Sequence, residues 1–340
     1  CYTVSVKIKG FYFTGFNFIL TFKEVIMIKL PVNFQPLITS RETEAFVFSI
    51  LTAKNHLQLP FLLSRYISLF AYDSEDYGAA LAFNNNYEDY YFWQCGKLSL
   101  MPLHIPNYAV YPGITVQLAR EMLDDERYIL GIWNEQYIKS RPAYNLKCKT
   151  ANFMLYGYDG QGFYSLAPQA DGLGGFTVTY EEFEKALFIK ESGMNMFWGA
   201  ALANAELGFE IAHVRKDLKD FVEGSRLNND GCAFGYKSIE YVAVDMEKRG
   251  EPCSAMELKC IWEYTRLMRM RTEYMINLGK PLSAQEKRAG EIEKEALRLS
   301  EPSIISDCGY LIREVKKIAE QERILAEELL DVLEKEHTII

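Results

Sequence analysis

The chain has 340 residues, a formal net charge of −9 and 49% hydrophobic residues, enough apolar material for one large domain or two ordinary ones. That composition excludes wholesale disorder. The acidic balance, without a dense Lys/Arg block, argues against nucleic acid as a partner. Aromatic residues stand at 14%, with 22 Tyr and 21 Phe, which favours an aromatic-rich core or pocket.

Residues 1–26 begin without Met and are rich in Phe, Ile, Lys, Tyr and Thr. They carry neither the basic start nor the cleavage site of a signal peptide, so a non-core extension ahead of Met27 is expected. The alternative is a hairpin turning at Gly10 or Gly15. Pro31 to Pro36 reads as extended. "TSRETEAFVFSILTAK" then opens a helix over 40–51, with Thr39 and Glu42 spaced as a capping box and Ala45, Phe46, Ile50 and Leu51 on its buried face. The next segment, "PFLLSRYISLFAYD", reads as helix or strand, with strand favoured from Tyr66 onward. Residues 84–113 are loop-rich, with prolines at 102, 106 and 112.

A helix follows over about 114–125, then an alternating strand, "RYILGIWNEQYI", and a turn at "SRPAY". "ANFMLYGYDGQGFYSLAP" reads as a β-hairpin turning at Asp-Gly-Gln-Gly. Thr179 and Tyr180 introduce a helix over 181–189. Beyond 196 strand signals nearly vanish. Helices end at Gly224, Gly250 and Gly279, another starts at Pro281, and the last is dense in i,i+4 charge pairs. Met256, Ile261, Tyr264 and Met268 form a stripe that suits a helix-bundle core. The pattern predicts an α+β domain over 27–195 and a helical region over 196–340 packed on it.

Seven cysteines, at 1, 95, 148, 232, 253, 260 and 308, are odd in number and contain no C-x-x-C, as expected of reduced thiols in a cytoplasmic protein. The four histidines, at 56, 104, 213 and 337, match no metal spacing, so no metal or cofactor is expected. No apolar run reaches the ~18 residues of a membrane span.

The stretch 128–187 carries a resemblance. Tyr137-Ile138, then Arg141 with Ala143 and Tyr144, then Gly157-Tyr158-Asp159, and later Phe183 with Ala186 resemble the pattern of butirosin biosynthesis protein H-like proteins. "IKLPVNFQPLITS", "SILTAK", "PFLLSRYISLF" and the "LMRMRTEYM" tail extend it over about 27–335. These are accessory proteins of bacterial natural-product clusters, including nonribosomal-peptide clusters. The resemblance implies a papain-like, cysteine-peptidase-type fold with an antiparallel sheet. In active members a Cys opens the first helix, a His opens the Gly-Tyr-Asp strand and an Asp ends the next strand before Pro, together moving an acyl group from a carrier protein to an amine.

In this sequence the three places are empty. Ser40 and Thr43 are the hydroxyls near the mouth of the first helix, Ala151 and Asn152 stand where the His would be, and Ala167 precedes Pro168. The resemblance therefore implies a catalytically vacant member that binds a peptide, an acylated carrier protein or a partner enzyme. Cys95 in "FWQCGK" and Cys148 in "NLKCKT" are the alternative nucleophiles, or else plain loop or core thiols. Glu135, Arg141 and Tyr144 are a polar set suited to gripping a carboxylate or phosphate, or to a surface salt bridge. Asn152 and Tyr158 are further ligand-binding candidates. Asp159 is a candidate too, although turn chemistry also accounts for it.

Overall fold

The computed structural model describes residues 27–53, 59–74, 78–84, 98–104, 113–146, 148–169, 172–187, 196–202, 208–224, 232–301, 304 and 307–335; at 84, 98–104, 168–169 and 196–202 it describes the backbone only. The 1–26 extension, His56, His337, Cys95 and the end of the helix expected to reach 189 lie outside the described residues.

In chain order the first elements are β1 (Ile28–Lys29), α1 (Glu42–Leu51), α2 (Leu59–Ser64), β2 (Ser68–Ser74), β3 (Gly78–Asn84), β4 (Leu98–His104) and α3 (Ile114–Asp124). Then come β5 (Tyr128–Asn134), a 3-10 turn (Glu135–Tyr137), β6 (Thr150–Tyr158), β7 (Gly162–Gln169), β8 (Gly172–Thr179), α4 (Tyr180–Leu187) and β9 (Met196–Leu202). The rest is α5 (Ile211–Glu223), β10 (Ala233–Phe234), α6 (Tyr236–Arg249), α7 (Ala255–Asn277), α8 (Ser283–Leu299) and α9 (Cys308–Lys335). The architecture is α+β. Among the described residues no helix is long and apolar enough to cross a membrane.

The chain divides into two compact units, one drawn from Cys1–Lys54 and Trp93–Asn204, the other from Asn55–Phe92 and Ala205–Ile340. The boundary expected at 195 is therefore corrected. "MFWGAAL" is strand β9, antiparallel to both β4 and β5, so it belongs to the first unit. β2 and β3 belong to the second, because β2 pairs with β10 far along the chain. β4 likewise stands inside the stretch expected to be loop.

The first unit is built on a seven-stranded antiparallel sheet in the order β4-β9-β5-β6-β7-β8, with β1 added along β6. β5, β6, β7 and β8 are neighbours in sequence order and antiparallel throughout. Gly157 is needed where β1 crosses β6, since a Cβ there would stand 2.3 Å from the Ile28 carbonyl oxygen. α4 covers one face: Phe183 meets Phe153 and Phe163 edge-on at 5.9 and 4.8 Å, and Trp133 stacks on Phe153 at 4.6 Å. Thr179 and Glu182 make a capping box for α4: the Thr179 hydroxyl accepts from the Glu182 N–H, and the Glu182 carboxylate accepts from the Thr179 N–H. α1, apolar nearly all round, packs on β6 and β7.

The second unit joins α2 and α5–α9 with the small sheet β10-β2-β3. α5 and α6 end as read, at Gly224 and Gly250 in left-handed conformation. Ile261, Tyr264 and Met268 are core residues of α7, whereas Met256 is exposed and leaves the expected stripe. It sits five residues before Ile261, off that face of the helix.

Candidate functional site

The mouth of α1 and the start of β6 meet. Arg41, in extended conformation, is the N-cap of α1, and the first helical bond runs from the Ala45 N–H to the Arg41 carbonyl at 2.9 Å. The expected Thr39–Glu42 capping box is therefore corrected: the N-cap lies two residues past Thr39. The Glu42 Oε2 reaches across to β6, accepting from the Asn152 N–H at 3.2 Å and from its Nδ2 at 3.4 Å. Burial pushes the Glu42 carboxyl pKa up, and the Asn152 bonds and the Arg141 charge pull it partly back.

The three empty places hold small or polar groups. Ser40 is buried, Ala151 is half-buried beside Trp133 in the β5–β6 register, and Ala167 is buried on β7, opposite Gly174. Glu42→Ala is expected to cost about 1.5–3 kcal/mol, the usual range for losing a hydrogen bond to a charged acceptor. Urea denaturation of the two forms measures this, and an unchanged midpoint would mean that the contact contributes nothing.

Next to this junction, Glu135 is fully buried rather than at the surface. Its Oε1 accepts from Arg141 Nε at 2.5 Å, and Lys149 Nζ stands 3.5 Å from its Oε2. The buried Asn134 Oδ1 accepts from the Gln136 and Lys149 N–H groups, which pins the 3-10 turn to the chain entering β6. The surface salt bridge weighed from sequence thus joins a buried carboxylate to a half-buried guanidinium, because the turn folds Glu135 inward from the end of β5. Tyr144 gives its N–H to the Arg141 carbonyl at 3.1 Å, and its ring is half-exposed.

Tyr158 and Asp159 are occupied by structural bonds. The Tyr158 hydroxyl donates to Asp124 at 2.6 Å, and the Arg120 guanidinium lies over its ring. Asp159 Oδ1 accepts from the N–H groups of Gln161 and Gly162, its Oδ2 accepts from the Tyr164 hydroxyl, and its carbonyl accepts from the Tyr180 hydroxyl. The Tyr164 bond holds the Asp159 carboxyl below its ordinary pKa and pushes the phenol up to about 12. Turn chemistry accounts for Asp159.

Cys148 is exposed, ahead of β6 and on no helix. His213 is the one histidine whose side chain is described. It lies on α5, with Asp217 Oδ2 at 3.0 Å and the Arg65 guanidinium against its ring nitrogens. Among the described residues no group of three His, Cys, Asp or Glu is placed to hold a metal ion.

One feature of the sheet was not foreseen from sequence. The β6–β7 register slips between Leu155 and Gly157, so Tyr156 stands on a bulge. Tyr156 helps line an open cleft of about 360 Å³ with Lys29, Phe34, Tyr164, Gly175 and Thr177. The only sequence signal for it was the run of glycines in "GLGGF" facing the aromatic hairpin.

No protein-family model matches the chain, and no curated protein is detectably similar to it.

Proposed function

We propose that this chain is a non-catalytic binding protein of the butirosin biosynthesis protein H-like kind, built on a papain-like, cysteine-peptidase-type core. The observation that carries the proposal is the Glu42–Asn152 contact. The first helix opens against the start of a central strand, in keeping with the layout the resemblance implies, and a carboxylate and an amide meet there, with no thiol or imidazole at Ser40, Ala151 or Asn152. Nucleophilic acyl transfer needs a thiolate and a base that can take and return its proton. Asparagine supplies neither, and although the Glu42 carboxylate can take a proton, α1 carries no cysteine to give one. The bound partner would be a peptide, an acylated carrier protein or another enzyme of bacterial secondary metabolism.

Alkylation with an iodoacetamide probe at neutral pH, mapped by mass spectrometry, tests this. Cys148 is expected to label at the rate of an ordinary exposed thiol. Cys253 is expected to resist, because burial pushes its thiol up to about 12. A hyper-reactive Cys95 or Cys148, protected by an acyl-thioester substrate, would overturn the proposal in favour of an active acyltransferase or peptidase.

A further inference from the structure

β8 ends the strand order of the first sheet, and among the described residues no strand pairs with its outer side. The register fixes which of its groups face outward. Leu173 is paired with Pro168, which has no N–H to give, and the Leu173 N–H turns away from β7 to the Phe34 carbonyl at 2.8 Å. In an antiparallel strand every second residue shares that direction, so Gly175, Thr177 and Thr179 also present N–H and C=O outward. The Thr179 N–H is taken by Glu182 at 2.9 Å. The outward groups of Gly175 and Thr177 have no partner among the described residues. Exposed edges are commonly blunted by Lys, Pro or an inward charge; β8, "GLGGFTVT", has none of these.

The cleft adjoins this open stretch. A Cβ on Gly175 would stand 3.1 Å from the Tyr156 hydroxyl oxygen and 3.3 Å from Phe34 Cε1, so the missing side chain leaves the space between these rings open. Lys29 is exposed, with its Nζ 5.3 Å from the Tyr164 ring centroid and 5.7 Å from that of Tyr156. No carboxylate among the described residues lies within ion-pair distance of it.

We propose that the outer edge of β8 takes a short extended peptide as an added strand, bonded through the N–H and C=O groups of Gly175 and Thr177. A glutamate or aspartate of the peptide would lie over Gly175 and meet Lys29. The main chain supplies affinity, and the cleft with its ammonium supplies selectivity for an acidic side chain. Phe34 and Glu182 close the two ends, which limits the added strand to a few residues. The inference rests on the reading of this chain as a binding protein and names its contact surface, using none of the α1–β6 junction residues.

The test is an NMR titration of the isotope-labelled full chain. The probes are acetylated, amidated pentapeptide pools with a fixed central residue and randomised flanks. A pool with central glutamate is expected to shift the Gly175 and Thr177 amides saturably. A central-lysine pool should bind about fivefold more weakly or worse, and N-methylation of the central amide should abolish the shifts. Lys29→Glu should reverse the preference, and Gly175→Val should remove it while leaving the far-ultraviolet circular dichroism spectrum unchanged. Absence of saturable shifts, or equal response to all pools, would overturn the proposal. So would concentration-dependent shifts without peptide, which would assign the edge to a second copy of the chain. A chain with ordinary thiol reactivity that fails here keeps the non-catalytic reading and loses only this surface.

Discussion

Replacing Arg271 with methionine is expected to destabilise the helical unit by about 3–5 kcal/mol, the range for removing one member of a buried charge cluster. Arg271 lies on α7 with no exposed surface. Its Nε donates to the Leu63 carbonyl at 2.5 Å, and its Nη2 donates to the carbonyls of Arg65 at 3.0 Å and Tyr66 at 3.4 Å. Those carbonyls end α2 and continue past it, where Tyr66 holds φ +48, a conformation costly for a residue with a Cβ. The guanidinium thus serves as a C-cap delivered from another helix.

Methionine fills much of the volume but leaves three carbonyls without their donor, and it removes the positive charge that faces Asp217 and Glu322. Lysine keeps the charge but cannot fork to several carbonyls, so Arg271→Lys should recover only part of the loss. Urea denaturation followed by circular dichroism measures both variants. A loss below about 1 kcal/mol for the methionine variant would show that the clamp is not what holds α2.

What was legible in the sequence follows the range of the interactions. The helices from α5 to α9 were read because glycine stops and charge pairs are local. The β6–β7 hairpin was read because its turn lies within it. β4 and β9 were missed because each is stabilised by the other across a long stretch of chain. β8 was missed because its alternation is confined to "FTVT" and its first half is mostly glycine, small where the chain passes Phe34 and Tyr156.

The candidate site divides the same way. The approach of α1 to Asn152 was expected from the resemblance. The burial of Glu135 was not, since a carboxylate beside Arg and Lys reads as surface until the 3-10 turn folds it in. Glu322 lies on the apolar face of α9. Leu311, Val315, Ile318, Leu325, Leu329 and Leu333 are buried at three- and four-residue spacing along α9, and Glu322 occupies the step between Ile318 and Leu325. The neighbouring charges differ: Arg323 pairs with Glu320 and Glu327, and all three are partly exposed.

The stability of the helical unit is expected to fall as pH rises through the neutral range, and Glu322→Gln is expected to remove that fall. Glu322 is fully buried, and neither carboxyl oxygen has a hydrogen-bond partner. The groups facing it are Arg271 and Tyr264 from α7, with Asp217 of α5 beside Arg271. α6 and α8, which also pack on α9, bury no ionisable side chain. Desolvation raises the Glu322 carboxyl from the ordinary 4.5 to about 8 against the pull of Arg271. The folded state therefore holds this proton more tightly than the unfolded state. Its contribution is fully present below about 4.5 and is lost as pH rises through about 8.

The slope has an upper bound of about 1.4 kcal/mol per pH unit. Glutamine keeps the shape and cannot ionise. The wild-type chain should thus lose stability relative to the glutamine variant by a few kcal/mol between about pH 5 and pH 8.5. Other groups titrate in both proteins, so the informative quantity is the difference between their urea midpoints at each pH. Parallel profiles would overturn this prediction: Glu322 would then be ionised in the folded protein at neutral pH, with Arg271 as its full counter-charge.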